Sequence, residues 1–247
     1  MPQALVALGA NLGDRAAALA RAIANLAAHP GVRGVRQSRW FETPPIGGPS
    51  GQKAFLNGAA VIDSQLDPLA LLSVLRQVEA QAGRQRAVRW EARTLDLDLL
   101  LIDDLQLDTP ELTLPHPRMA FRRFVLAPAA EVAGDWRHPE NGWTIAQLLA
   151  HLDDVTHGVA VLSDDVLSGD VTSENAEAAA RLTAALALPA ASEPPKLTVV
   201  LPTKNAENRH LLCGVLRIAE YGPVLWLTTP EFDEQCAEIA AALAAMA

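Results

Sequence analysis

The run Arg93-Thr94-Leu95-Asp96-Leu97-Asp98-Leu99-Leu100-Leu101 constrains this chain more than any other stretch. Its acidic and apolar residues alternate with the period of a strand. Asp96 and Asp98 therefore share one face, and Leu95, Leu97 and Leu99 share the other. Cα atoms two residues apart on a strand lie roughly 6.5–7 Å from one another. Two carboxylates at that separation reach two Mg²⁺ ions about 4 Å apart. Hard cations paired in this way neutralise polyphosphates during phosphoryl transfer. A bare Asp-x-Asp is more often the wet face of a half-buried strand, so the neighbouring residues decide between the two readings.

Upstream, Arg84, Arg86, Arg89 and Arg93 fall within ten residues, in a chain whose formal net charge is −9. A basic cluster beside an acidic pair suits a polyphosphate: guanidinium groups bind phosphate oxygens in pairs, and the carboxylates hold the compensating metal. The acidic balance elsewhere argues against a nucleic-acid surface. Cys213 and Cys236 have neither metal-ligand nor disulfide spacing and read as reduced thiols. The apolar start Leu5-Val6-Ala7-Leu8 is broken at Gly9, lacks a basic segment before it and is too short to span a membrane, which points to the cytoplasm.

Other segments extend the pattern. Thr43-Pro44-Pro45-Ile46-Gly47-Gly48 precedes Phe55-Leu56-Asn57, and Leu112-Thr113-Leu114-Pro115-His116-Pro117-Arg118 precedes Arg122-Arg123-Phe124. Together with the Arg-Thr-Leu-Asp-Leu-Asp run, they resemble the 6-hydroxymethyl-7,8-dihydropterin pyrophosphokinases of folate biosynthesis, over about Gln3 to Leu152. The resemblance implies transfer of the β,γ-diphosphate of ATP to the hydroxymethyl group of the reduced pterin, with release of AMP. It further implies that Asp96 and Asp98 ligate two Mg²⁺ ions held with ATP, and that Arg84, Arg93 and Arg122 touch phosphates. Arg86 and Trp90 would belong to a closing loop, and Glu79, Thr113 and His116 would line the nucleotide pocket. Phe55 and Phe124 would sandwich the pterin, with Asn57 on its polar edge and Thr43, Pro44 and Ile46 beside it. The chain departs from the family pattern at Trp90-Glu91-Ala92-Arg93, where Trp-Gly-Pro-Arg is usual, at Glu111, where a basic residue is common, and in a shorter Arg84–Trp90 loop. These changes bear on loop closure and nucleotide affinity more than on reaction type.

The punctuation of the chain predicts a β-α-β-β-α-β order. Strands are expected at Gln3–Gly9, Val32–Glu42, Ala54–Asp63 and Leu95–Ile102, with a short partner at Leu105–Leu107 after an Asp103-Asp104 turn. Helices are expected from Asp14 to Ala28 and from Asp67-Pro68 to about Gln81, each opened by a capping aspartate. Thr43–Gln52, rich in Pro and Gly, reads as a loop. That order is the ferredoxin-like split unit: an α+β core whose antiparallel sheet carries both helices on one face. Residues 1–158 form the expected pyrophosphokinase domain.

Residues 159–247 read as a small α/β extension of unassigned role. Strands are expected at Val159–Leu162, Leu197–Leu201 and Val224–Thr228. Helices are expected from Ser173 to about Leu188, near Ala206–Tyr221 and over Glu231–Met246, with a linker at Pro189–Lys196. Leu201-Pro202-Thr203-Lys204-Asn205 lacks the glycines of a phosphate loop. Two rival functions stand beside the kinase. One is a catalytically silent pterin- or nucleotide-binding regulator, and the other a bifunctional folate enzyme with a second activity after residue 160. Expected partners are ATP and the reduced pterin, without nucleic acid or membrane, and with oligomerisation as a role open to the C-terminal unit.

Overall fold

Both helices of the first half begin where an aspartate takes up a free backbone N–H. The computed structural model describes residues 1–46, 51–83, 93–154, 158–162, 173–186, 196–201, 223–227, 229 and 231–246. In it the Asp14 carboxylate accepts from Ala17 N–H at 3.0 Å, and Asp67 from Ala70 N–H at 2.9 Å. Helix α1 (Arg15–Ala28) and helix α2 (Pro68–Gln81) start at these caps, α2 with proline at its first position.

Between and after the helices run β1 (Gln3–Ala10), β2 (Val32–Gln37), β3 (Phe41–Thr43), β4 (Phe55–Ser64) and β5 (Asp96–Ile102). They form one mixed α/β layer, an antiparallel sheet in the order β2-β4-β1-β5 with β3 also pairing β4. Period-2 alternation divides its residues. Val6 and Leu8, Ala60 and Ile62, and Leu97 and Leu99 join one core with Leu19 and Leu26 of α1 and Leu71 and Leu75 of α2. Both helices thus cover one face, and the side chains between those strand residues point to the other. Helix α3 (Arg123–Ala133) is tied to β2 and the residues after it. Glu131 accepts from the Arg39 backbone N–H at 2.9 Å and from its Nε–H at 2.8 Å, and Arg36 Nη2 donates to the Val132 carbonyl at 2.8 Å.

Two expectations needed correction. Val32–Glu42 is not one strand. At Ser38 the side chain replaces a backbone acceptor: Oγ takes the Ala59 N–H at 2.9 Å. Trp40 lies against Gly58, where a Cβ would come within 2.3 Å of the ring. Pairing resumes with β3, opposite Phe55–Asn57. Nor is Leu105–Leu107 a partner of β5. The chain turns at Asp103, whose φ is +44°, and Gln3 and Asp103 exchange hydrogen bonds at 3.0 Å. It then forms β6 (Leu107–Asp108), which pairs with β7 (Thr113–Leu114). Beside β5, Leu97 N–H is met by Glu79 and the Leu100 carbonyl by His116 N–H.

The chain divides into two compact units, Met1–Met119 with Phe124–Pro139, and Ala120–Arg123 with Glu140–Ala247. In the second, α4 (Ile145–Asp154) opens on a reciprocal cap in which Thr144 and Gln147 each accept the other's backbone N–H. Strands β8 (Val159–Leu162), β9 (Leu197–Val200) and β10 (Val224–Trp226) form a parallel sheet in the order β10-β9-β8. Helices α5 (Ser173–Ala185) and α6 (Phe232–Met246) accompany them. The helix expected near 206–221 lies outside the described residues. Among the described residues no helix is long and apolar enough to cross a membrane.

Candidate active site

Asp96 and Asp98 begin β5 and lie on the face opposite the leucine core. The register carries this face across the sheet. Asp96 stands opposite Gly9 of β1, Gly9 opposite Asn57 of β4, and Asn57 opposite Phe41 of β3. Directly paired residues share a face, so Asp96, Asn57 and Phe41 lie on one side of the sheet, and Phe55 and Thr43 join them two residues along. Glycine at position 9 leaves Asn57 in place, since a Cβ there would fall 2.9 Å from Asn57 Oδ1. Asn57, itself buried, donates from Nδ2 to Thr43 Oγ1 at 2.8 Å.

The acidic end is held from several directions. Arg93 Nη1 donates to Asp96 Oδ2 in a close ion pair. Its backbone is gripped by Asn11, only 1% exposed, whose Oδ1 accepts the Arg93 N–H at 2.6 Å while Asn11 N–H donates to the Arg93 carbonyl at 3.0 Å. Asn11 Nδ2 also reaches Gln52 Oε1 at 3.3 Å. Glu79, on the buried side of α2, accepts the Leu97 N–H at 2.8 Å, midway between the two aspartates. His116 follows β7, its N–H on the Leu100 carbonyl at 2.8 Å and its Nδ1 accepting from Arg118 N–H at 3.1 Å. With Nδ1 an acceptor, the ring of neutral His116 carries its proton on Nε2.

The donor set fits Mg²⁺. Two carboxylates on one strand face, paired with Gly9 and Ala7 of β1, offer hard oxygen ligands. No group of three or more potential ligands occurs among the described residues, and Mg²⁺ is commonly held by one or two carboxylates completed by water and phosphate oxygens.

The structure thus gathers Arg93, Asp96, Asp98, Glu79 and His116 around β5, and Thr43, Phe55 and Asn57 at the β3–β4 end of the same sheet. Pro44 and Ile46 follow β3, the first exposed and the second half-buried. Thr113 bonds to Asp108 at 3.0 Å. Phe124, half-buried, is the second residue of α3 and lies in the same unit, whereas Arg122 belongs to the second unit. Arg84, Arg86, Trp90 and Glu91 lie outside the described residues. Sequence reasoning missed Gly9 and Asn11. Asn11 left one trace, a polar residue directly after an apolar strand, which reads equally well as a turn.

Comparison with known proteins places the chain in a family. The family model of 7,8-dihydro-6-hydroxymethylpterin-pyrophosphokinase (HPPK) matches residues 5–134. The chain is similar to the 2-amino-4-hydroxy-6-hydroxymethyldihydropteridine pyrophosphokinase of Synechocystis sp., 43% identical over 150 residues, covering 61% of this chain and 76% of the relative. The protein of the same name from Methylorubrum extorquens is 44% identical over 153 residues, covering 62% of this chain and 95% of the relative. That from Bacillus subtilis is 46% identical over 129 residues, covering 52% and 77%. With more than half its length matched by the family model and several close relatives of one name, this chain belongs to the 7,8-dihydro-6-hydroxymethylpterin-pyrophosphokinase family.

Proposed function

We propose that this chain transfers diphosphate from ATP to 6-hydroxymethyl-7,8-dihydropterin, giving the pterin diphosphate and AMP, in folate biosynthesis. The observation that carries the reading is the row Asp96–Gly9–Asn57, which sets an acidic edge and a buried amide on one face of one sheet. Asn57 spends one N–H on Thr43 and keeps an acceptor oxygen and a second N–H, a set complementary to a pterin edge with both donors and acceptors. Phe55 and Phe124 supply ring faces for stacking. Arg93 and the Nε2–H of His116 supply donors for phosphate oxygens, joined in our reading by Arg84, Arg86, Trp90, Thr113 and Arg122. Glu79 holds the strand between the metal-binding carboxylates. Asp96 and Asp98 would hold Mg²⁺ with ATP, and bound Mg²⁺ supplies positive charge against the polyphosphate. Positioning and charge neutralisation carry most of such a transfer, so no strong general base is required.

We read the element order and the strand order β2-β4-β1-β5 as a ferredoxin-like split unit. We assign the chemistry to residues 1–158 and a cytoplasmic setting to the enzyme, with residues 159–247 as an accessory α/β unit.

The test is AMP release from ATP by the full chain, with and without the hydroxymethylpterin and with Mg²⁺ present or chelated. AMP appearing only when pterin and Mg²⁺ are both supplied is the expected result. ATP and pterin bound without turnover would make the protein a silent regulator.

A further inference from the structure

Arg15 is the first residue of α1, directly after the capping Asp14, where the positive end of the helix dipole opposes a cation. Its side chain crosses instead to the β3–β4 hairpin. Nη1 donates to the Ala54 carbonyl at 2.6 Å, and Nη2 to Glu42 Oε2 at 3.1 Å. With Arg15 28% exposed and Glu42 62% exposed, the ion pair alone adds little stability. Its placement is more informative than its strength. Thr43 and Phe55 are the last paired residues of the hairpin before residues 44–54 leave the sheet. Glu42 adjoins Thr43 and Ala54 adjoins Phe55, so one planar guanidinium holds both strands at the mouth of that loop. The rigid fork of arginine sets two bonds at a defined spacing, and a lysine ammonium cannot.

We infer that Arg15 is a positioning residue for the pterin: it sets the spacing of Thr43 and Phe55 without meeting the nucleotide. This inference rests on the reaction proposed above. Asn57, bonded to Thr43, transmits the spacing to the polar edge of the pocket. Arg93, Asp96 and Asp98 have no hydrogen bond to Arg15 among those described, so the phosphate end should be indifferent to it.

The test is steady-state kinetics of the full chain, with the KM for 6-hydroxymethyl-7,8-dihydropterin and the KM for ATP measured separately. Arg15→Ala should raise the pterin KM about tenfold, or about 1.4 kcal/mol, with the ATP KM and kcat within about twofold of the parent. Arg15→Lys should fall between the two. Glu42→Gln, which spares the bond to Ala54, should raise the pterin KM by about two- to threefold. If Arg15→Ala does not fold, the other two variants must still show a pterin-only shift, and its absence overturns the inference. An equal rise in both KM values, or a fall in kcat at unchanged pterin KM, makes Arg15 a general structural residue and also overturns it. An active parent with an indistinguishable Arg15→Ala variant removes the inference alone, whereas a parent that releases no AMP with the pterin removes the proposed reaction as well.

Discussion

Replacing Glu79 tests whether this side chain serves the sheet or the nucleotide. Glu79 is 3% exposed, and its Oε1 accepts the N–H of Leu97 at 2.8 Å on the side of β5 away from β1. Leaving a buried backbone donor unsatisfied costs about 1–3 kcal/mol. Glu79→Ala should therefore free the Leu97 amide to open with about 2 kcal/mol less resistance, roughly 30-fold faster hydrogen exchange. Glu79→Gln keeps a carbonyl acceptor of the same reach and should cost under about 1 kcal/mol, at most about fivefold in exchange. Because Leu97 separates Asp96 from Asp98, kcat/KM should follow the exchange rate across the pair, falling steeply in the alanine variant and slightly in the glutamine variant. Hydrogen exchange resolved at Leu97, read beside turnover, is the measurement. If both variants lose activity equally while the Leu97 amide exchanges at the parental rate, Glu79 acts on the substrate directly and the edge-strand argument is wrong.

Asp96→Asn and Asp98→Asn should each lower turnover at saturating Mg²⁺ by about 10³-fold or more with little change in the melt, because the amide keeps the shape but loses the charge a hard cation prefers; near-normal turnover in both would refute the metal assignment. Phe55→Ala or Phe124→Ala should weaken pterin binding far more than ATP binding, stacking contributing about 0.5–1.5 kcal/mol beyond burial, and calorimetry with each ligand separates the two. His138 is 4% exposed, its Nδ1 lacks a hydrogen-bond partner among the described residues, and burial lowers its pKa from 6.5 to about 4. The unfolded chain therefore binds the extra proton first. Stability from the neutral ring should be complete above about pH 6.5 and fall by about 3 kcal/mol as pH drops to about 4. His138→Gln should flatten that acid limb in denaturant melts, and an unchanged limb would refute the assignment.

Local signals in the sequence were reliable where the physics is local. Asp14 and Asp67 mark helix starts because a carboxylate three residues from the N–H it accepts needs nothing distant, and the Leu95–Leu99 alternation reveals a strand with an acidic face for the same reason. The break at Ser38 was not legible, because it depends on Trp40 meeting Gly58, a residue on another strand. The fate of Leu105–Leu107 was hidden likewise, since what meets β5 there comes from α2 and from His116. In the site, the charged and aromatic residues could be picked out by type. Gly9 and Asn11 could not, because each matters through a partner on a distant segment: Asn57 and Arg93.

The row from Asp96 through Gly9 and Asn57 to Phe41 draws one residue from each of four strands, and Gly9 and Asp96 come from opposite ends of the sheet's sequence. The shortest contiguous fragment that contains it runs from residue 9 to residue 96 and passes through every strand of the sheet. The loop-closure entropy of the β1–β5 pairing must be overcome before the acidic edge and the Asn57 amide share a surface. Ligand binding is accordingly available only to chains that have completed their longest-range pairing, and a bound substrate stabilises that topology at the expense of every partly assembled one.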